Sequence, residues 1–286
     1  MDRMVVLGLG YAGAATAALA AASGFAVQGT ARDPDRADRP DGVEVVGFEE
    51  AGPAIVAATH LLVTVPPGPE GDPVLRRHGA ALGAAAALRW VGYISTTGVY
   101  GDRSGAWVEE DTPPAPGQDR SRRRLEVERA WRDALPEGVA LDVMRAGGIY
   151  GPGRNALDDL RRGTARRVIR AGHAFSRVHR DDIARAVIAA ARHSVPGTRV
   201  LHLVDDEPAE QSAVVEEAAR LLGVDPPPSV PFDTARTGMS PMALSFWSEN
   251  RRVGNARTRA ALSLSWLYPD YRSGLAAILA QEGDQK

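Results

Sequence analysis

MVVLGLGYAG, residues Met4 to Gly13, carries the strongest local pattern in the chain. Met4, Val5, Val6 and Leu7 form a short apolar run of β type. Gly8, Gly10 and Gly13 follow at the spacing G-x-G-x-x-G, and an Ala-rich helix, Ala14 to Ala22, comes next. A strand, a tight turn and a helix N-terminus in that order form a cradle for a pyrophosphate. Gly8 permits the turn, Gly10 lets the anion approach the backbone and Gly13 lets the helix pack close to the strand. The unpaired N–H groups at the start of the helix, around Tyr11, Ala12 and Gly13, face the anion.

Working outward, the first half alternates strands and helices. Phe25–Thr30, Val43–Phe48, His60–Val65, Trp90–Ser95 and Val139–Arg145 read as strands two to six, and Arg199–Val204 as a seventh. Helices are expected over Ala51–Ala58, Val74–Leu88, Asp119–Leu135, Asp181–Arg192 and Ala209–Leu222. Further helical segments lie around Met242–Glu249, Ala256–Leu262 and Tyr271–Ala280. Short apolar strands alternating with helices predict an α/β fold, a Rossmann-type doubly wound parallel sheet covered on both faces. In such sheets ligands sit beyond the carboxyl ends of the strands. The candidate cofactor residues are therefore Val65 and Pro66 after strand four, Ser95 after strand five, and Ala146 and Gly148 after strand six.

The end of strand two chooses between cofactors. An NAD site wants an acidic residue there, to hold the ribose 2′-hydroxyl. This chain offers Thr30, Ala31 and Arg32. A hydroxyl and a guanidinium suit a 2′-phosphate, so NADP is expected over NAD.

Composition bounds the remaining possibilities. The 286 residues are 44% hydrophobic and 24% charged, ordinary values for a globular chain, and are enough for one large two-part domain or two small ones. Cysteine is absent, which excludes disulfides, thiolate catalysis and Cys-ligated metal. No two histidines have metal-ligand spacing, so no metal is expected. The net charge of −2 gives no general argument for nucleic acid or an anionic membrane. No apolar run reaches the ~20 residues that span a bilayer. The N-terminus enters a strand at once, without signal-type features, and points to the cytosol. The arginines at 120 and 122–124, and those at 161–170, read first as solvated faces; a small phosphorylated or carboxylated molecule is the alternative partner.

The order of motifs resembles the extended short-chain dehydrogenase/reductase superfamily, which includes nucleotide-sugar epimerases and dehydratases. The matching pieces are GLGYAG at Gly8–Gly13, VPPG at Val65–Gly68, YISTTGVYGD at Tyr93–Asp102, RAGGIYGPGR at Arg145–Arg154 and RVHRDDIARA at Arg177–Ala186. Asn255–Leu275 looks like the family's C-terminal end. The resemblance implies an NAD(P)-binding Rossmann part, residues 1–152 plus 178–204, and a smaller substrate-binding part, residues 153–177 plus 205–286. It also implies a possible homodimer through the segments Val74–Leu88 and Asp119–Leu135.

In this family a Tyr-x-x-x-Lys pair on the helix after strand five moves the proton, and a Ser or Thr from the strand-five loop holds the substrate oxygen. Here Thr96 matches that hydroxyl, Arg124 falls at the lysine and Arg120 at the tyrosine. Arginine does not deprotonate in proteins, so Arg120 cannot replace the tyrosine's proton. This likens the chain to the atypical members that lack the active-site tyrosine. Tyr100 is the candidate displaced donor, although a packed V-Y-G turn explains it as well. The diphosphate-binding arginine of the epimerases aligns with Phe175, and Arg177 would have to reach from the other face of its strand to compensate. Glu128 reads as an i, i+4 partner of Arg124, and Glu109, Glu110 and Asp111 as a solvated loop. His179 is expected to hydrogen-bond beside Asp182.

Three activities fit these residues. The first is an NADP-dependent oxidoreductase or epimerase-like enzyme on a small molecule, with Thr96 orienting the substrate oxygen and Arg124 the cofactor ribose. The second is a binding protein that senses NADP(H) without turnover, and the third a non-redox lyase or hydratase in the same pocket.

Overall fold

A computed structural model describes residues 1–37 and 39–283. Seven strands, Arg3–Leu7 (β1), Ala26–Ala31 (β2), Val43–Gly47 (β3), His60–Val63 (β4), Trp90–Thr96 (β5), Ala140–Ala146 (β6) and Gly197–Leu203 (β7), form one sheet. Their order is β3-β2-β1-β4-β5-β6-β7, and every neighbouring pair is parallel. The order reverses at β1, so a crevice opens between the carboxyl ends of β1 and β4, beside the glycine turn.

The sheet is buried on both faces because its strands are apolar at successive positions. Met4 and Val6 face one side with Leu62, Ile94 and Met144; Val5 and Leu7 face the other with Leu61, Val63, Val91 and Trp131. Helices Tyr11–Ala22 (α1) and Arg180–Arg192 (α5) pack together on the first side. Ala17 and Ala20, both fully buried, give α1 the thinness that close packing needs. Gly52–Val56 (α2), Pro73–Gly83 (α3) and Asp119–Ala134 (α4) cover the second side.

Element ends differ from the expected ones for local reasons. α1 starts at Tyr11 rather than Ala14, so Gly13 lies within its first turn. β4 stops at Val63, because the Thr64 hydroxyl turns back to donate to Gly8 O and Leu7 O. α3 ends at Gly83, five residues early, and the following turn tucks Ala85 and Leu88 into the core before β5 begins.

The second half contains a smaller core of Tyr150, Leu157, Ala218, Tyr271, Leu275 and Ile278. Three two-stranded parallel ribbons escaped the sequence reading: Gly148–Tyr150 with Arg177–His179, Arg167–Ile169 with Ser229–Pro231, and Trp107–Val108 with Arg252–Val253. Runs of two or three residues carry no periodicity to detect. Asp182 anchors the C-terminal segment, its carboxylate accepting Leu267 N–H at 2.7 Å and Tyr268 N–H at 2.9 Å.

Candidate functional site

The glycine turn is made by backbone and sealed from beneath. Gly8 has φ of +109°, which a side chain would strain, and a Cβ there would stand 2.7 Å from Thr64 Oγ1. A Cβ on Gly13 would lie 2.1 Å from Gly8 O, so only glycine lets α1 approach the strand end. At Gly10 a Cβ would meet no protein atom within 4 Å. The space over Gly10 opens into a cleft of about 870 Å³ that Gly10, Tyr11, Ala12 and Gly13 line at one end. The first turn of α1 holds no acidic residue, and its N–H groups remain available to an anion. These residues fit a dinucleotide pyrophosphate.

Thr30 departs from its expected role. It is fully buried, its hydroxyl accepts Gly8 N–H at 3.0 Å, and its carbonyl accepts Leu9 N–H at 2.8 Å. It therefore braces the glycine turn and does not reach a 2′-phosphate. Arg32 is exposed just past β2. Val65 packs beside Gly8 under the turn, while Thr64 and Pro66 line the cleft. Ala146 and Gly148 line it on the β6 side.

Adjacent residues at the end of β5, Ser95 and Thr96, both line the cleft but bond different partners. Thr96 lines the cleft, its oxygen accepting Gly98 N–H at 3.0 Å and so capping the turn Thr97–Tyr100. Ser95, expected at the cofactor, donates its hydroxyl to Glu128, which is 6% exposed. Glu128 also accepts from Arg145, at 3.1 Å from Nε and 2.7 Å from Nη2, and not from Arg124. Arg145 Nη1 then donates to the Tyr100 oxygen at 2.7 Å. His202 Nδ1 lies 2.7 Å from Gly254 O, an acceptor only, so Nδ1 carries the proton and Nε2 accepts from the Tyr100 hydroxyl.

The chain Ser95–Glu128–Arg145–Tyr100–His202 is thus a closed buried network. Tyr100 is fully buried within it, and burial pushes its phenol up to about 12. It is a structural residue and no displaced proton donor. Burial likewise lowers the His202 pKa and keeps its imidazole neutral.

Arg124 lines the cleft and donates to Ile94 O at 2.5 Å, which places its guanidinium at the carboxyl end of β5. Arg120, one helical turn earlier, also lines the cleft, and its guanidinium carbon lies 4.1 Å from the centroid of Phe246. Phe175 forms part of the wall, edge-on to Trp247 at 5.0 Å, with His173 stacked on Trp247 at 5.3 Å. Burial lowers the His173 pKa to about 4. Arg177 does reach the cleft, but its Nη1 donates to Phe175 O and Ala209 O. Arg251 is tied to Glu249 at 2.8 Å and to Gly101 O at 2.9 Å. Glu249 Oε1 is buried and has no partner among the described residues.

His179 is a hydrogen-bonding residue as expected, but with another partner: its Nδ1 accepts Asp181 N–H at 3.2 Å and caps α5. The acidic loop is also engaged, Glu110 accepting from Thr258 and Asp111 pairing with Arg257 at 2.7 Å. Phe246, Trp247, Glu249 and Arg251 were missed from sequence. Their one signal is the density of aromatic and charged residues in SFWSENRR, Ser245–Arg252, within a segment otherwise read as generic helix. No helix of the described residues is long and apolar enough to cross a membrane.

No family model matches the chain. A structure of a functionally unknown conserved protein from Silicibacter pomeroyi is 40% identical over 99% of both chains, with a TM-score of 0.90. A candidate NAD-dependent epimerase/dehydratase from Methylobacillus flagellatus is 26% identical over 99% of both chains, with a TM-score of 0.75. The human epimerase family protein SDR39U1, solved with NADPH, shares the fold, at a TM-score of 0.75 and 18% identity over 97% of this chain and 99% of that one. Among curated proteins, Protein YeeZ of Escherichia coli is 29% identical over 243 residues, 79% of this chain and 86% of its own. A 3-diazoavenalumate denitrifying reductase from Streptomyces is 32% identical over 188 residues, 59% of this chain and 58% of its own. With its seven-stranded parallel sheet, the chain has the Rossmann-type, NAD-dependent epimerase/dehydratase-like fold of these structures.

Proposed function

We propose that this protein is a cytosolic NADP-dependent oxidoreductase, epimerase-like in architecture, acting on a small anionic molecule. The observation that supports the reading best is the continuity of one cleft, from the open space over Gly10 to Thr96, Arg124 and Arg120. Residues 1–152 plus 178–204 would hold the cofactor, and residues 153–177 plus 205–286 would close over the substrate. The turn Gly8–Gly13 would take the pyrophosphate, Arg32 the 2′-phosphate and Arg124 the nicotinamide ribose. When bound, the nicotinamide gives or takes a hydride.

The chain's own residues then orient and polarise. Thr96 holds its hydroxyl at the cleft wall with its oxygen already fixed by Gly98 N–H, which leaves the proton to donate to a substrate oxygen. Arg120 contributes fixed positive charge where the resemblance puts the tyrosine. With Tyr100 buried in its network, the proton of the reaction comes from water reaching the cleft.

The absence of a titrating side chain at position 120, together with the burial of Tyr100, favours a second reading: an NADP(H)-binding protein that responds to the cofactor without turnover. NADPH oxidation followed against a panel of oxo acids, unsaturated acids and simple carbonyl compounds separates the two. The enzyme reading expects turnover that falls on the order of a hundredfold in Thr96→Ala. NADPH binding with no turnover on any compound would overturn it in favour of the sensor.

A further inference from the structure

The end of the cleft away from the glycine turn combines free positive charge with carbon walls. Arg120 lies over Phe246, and among the described residues no carboxylate pairs with it. One face of its guanidinium is covered by the ring, so its N–H edge is what remains for a ligand. Such an edge matches the two coplanar oxygens of a carboxylate. Arg123, three residues along the same helix, lines the cleft as a second cation. Of the local carboxylate, Glu249, one oxygen is paired with Arg251 at 2.8 Å.

Some of the polar side chains at this end are engaged within the protein. Ser245 Oγ donates to Met242 O at 2.7 Å. The Gln211 amide is used at both ends, accepting Val168 N–H and donating to Arg166 O. The carbon surface at this end comes from Phe246, 54% exposed, and from Phe175 and Trp247, which line the same cleft. Aromatic side chains lining a cleft favour a flat hydrophobic body.

We infer that Arg120 binds the carboxylate of a small planar organic acid, an arene- or alkene-conjugated carboxylate, whose body rests on Phe246 and Phe175. The inference deepens the proposed function by naming its substrate class, and it rests on that reading in taking this cleft for the substrate site. It gives Arg120 a task that suits a side chain with no proton to lose: holding negative charge beside the reacting atoms.

Titration calorimetry of the full chain with cinnamate, with and without NADPH, tests it. Cinnamyl alcohol, acetate and inorganic phosphate serve as probes lacking the charge, the body and the planar fork respectively. The expected result is cinnamate binding at least tenfold tighter than any of the three, weakened at least tenfold in Arg120→Gln and less in Arg120→Lys. Phe246→Ala should also weaken it, and thermal unfolding of each variant establishes that it is folded. Cinnamate binding unchanged in folded Arg120→Gln, absent in the wild type, or matched by the alcohol or by phosphate would overturn the inference. Cinnamate binding with no NADPH binding would instead remove the reductase reading and leave the acid site standing.

Discussion

The two ends of the cleft are built by different means. At the glycine turn the site is backbone, shaped by three residues without side chains and braced by the Thr30 and Thr64 hydroxyls. At the arginine end it is side chain, with Arg120 and Phe246 brought together from positions 126 residues apart in number, on α4 and on the helix Pro241–Trp247. A backbone site tolerates almost no change in residue type, whereas a side-chain site can be rebuilt while the fold stays. The difference explains how a glycine turn of this kind can persist in a fold whose arginine end is rebuilt.

The largest effect should come from the network beneath the arginine end. Glu128→Ala leaves Arg145 buried and unpaired, with both side chains only 5–6% exposed in the native pair, and should destabilise the fold by about 3–5 kcal/mol. Urea unfolding measures this; a loss under about 1 kcal/mol would mean that the network is not what supports this end of the sheet.

At the other end, Gly13→Ala drives a methyl to 2.1 Å from Gly8 O. It should lower NADPH affinity by more than about tenfold and also destabilise the fold by about 1–3 kcal/mol. Gly10→Ala meets no protein atom, so it should change stability by less than about 1 kcal/mol while still weakening the dinucleotide. Equal effects of the two substitutions on folding and binding would erase the distinction between a packing glycine and a ligand-approach glycine.

Thr30→Val strands the buried Gly8 N–H and should reduce stability by about 1–3 kcal/mol. Because Thr30 braces the turn, the ratio of NADPH to NADH affinity should not move; a selective loss of NADPH would restore Thr30 as a phosphate ligand.

The smallest effect is a pH slope. His173 titrates near 4 in the fold, against about 6.5 when unfolded, because burial disfavours its charged form. A depressed histidine stabilises the fold above the unfolded value, so its contribution should be lost as pH falls from about 6.5 through 4. Thermal unfolding across that range should show a shallower slope in His173→Phe than in the wild type.

Much of the first half was legible in the sequence because its signals are local. A strand of four apolar residues, three glycines and an alanine helix each report on their own neighbours, and the parallel sheet follows from their repetition. The fate of Thr30, Ser95, Tyr100 and Glu128 was not legible. Thr30 and Ser95 looked available, Tyr100 read as a packed turn or a donor and Glu128 as a partner of Arg124, yet each bonds a partner distant in sequence: Gly8 for Thr30, Glu128 for Ser95, Arg145 and His202 for Tyr100, Ser95 and Arg145 for Glu128. Ser95 and Thr96, adjacent in sequence and both at the cleft, differ in what they bond: Ser95 donates to Glu128, whereas Thr96 accepts from Gly98. The arginine end was legible only in part, since Phe246 and Arg251 arrive from a segment with no periodicity that marks them.

The most direct test is calorimetric titration of the purified protein with NADPH and NADH, repeated on Arg32→Ala. The account predicts NADPH binding at least about tenfold tighter than NADH, with the advantage lost in the variant. Binding of neither nucleotide, or NADH bound as tightly as NADPH by the wild type, would contradict it.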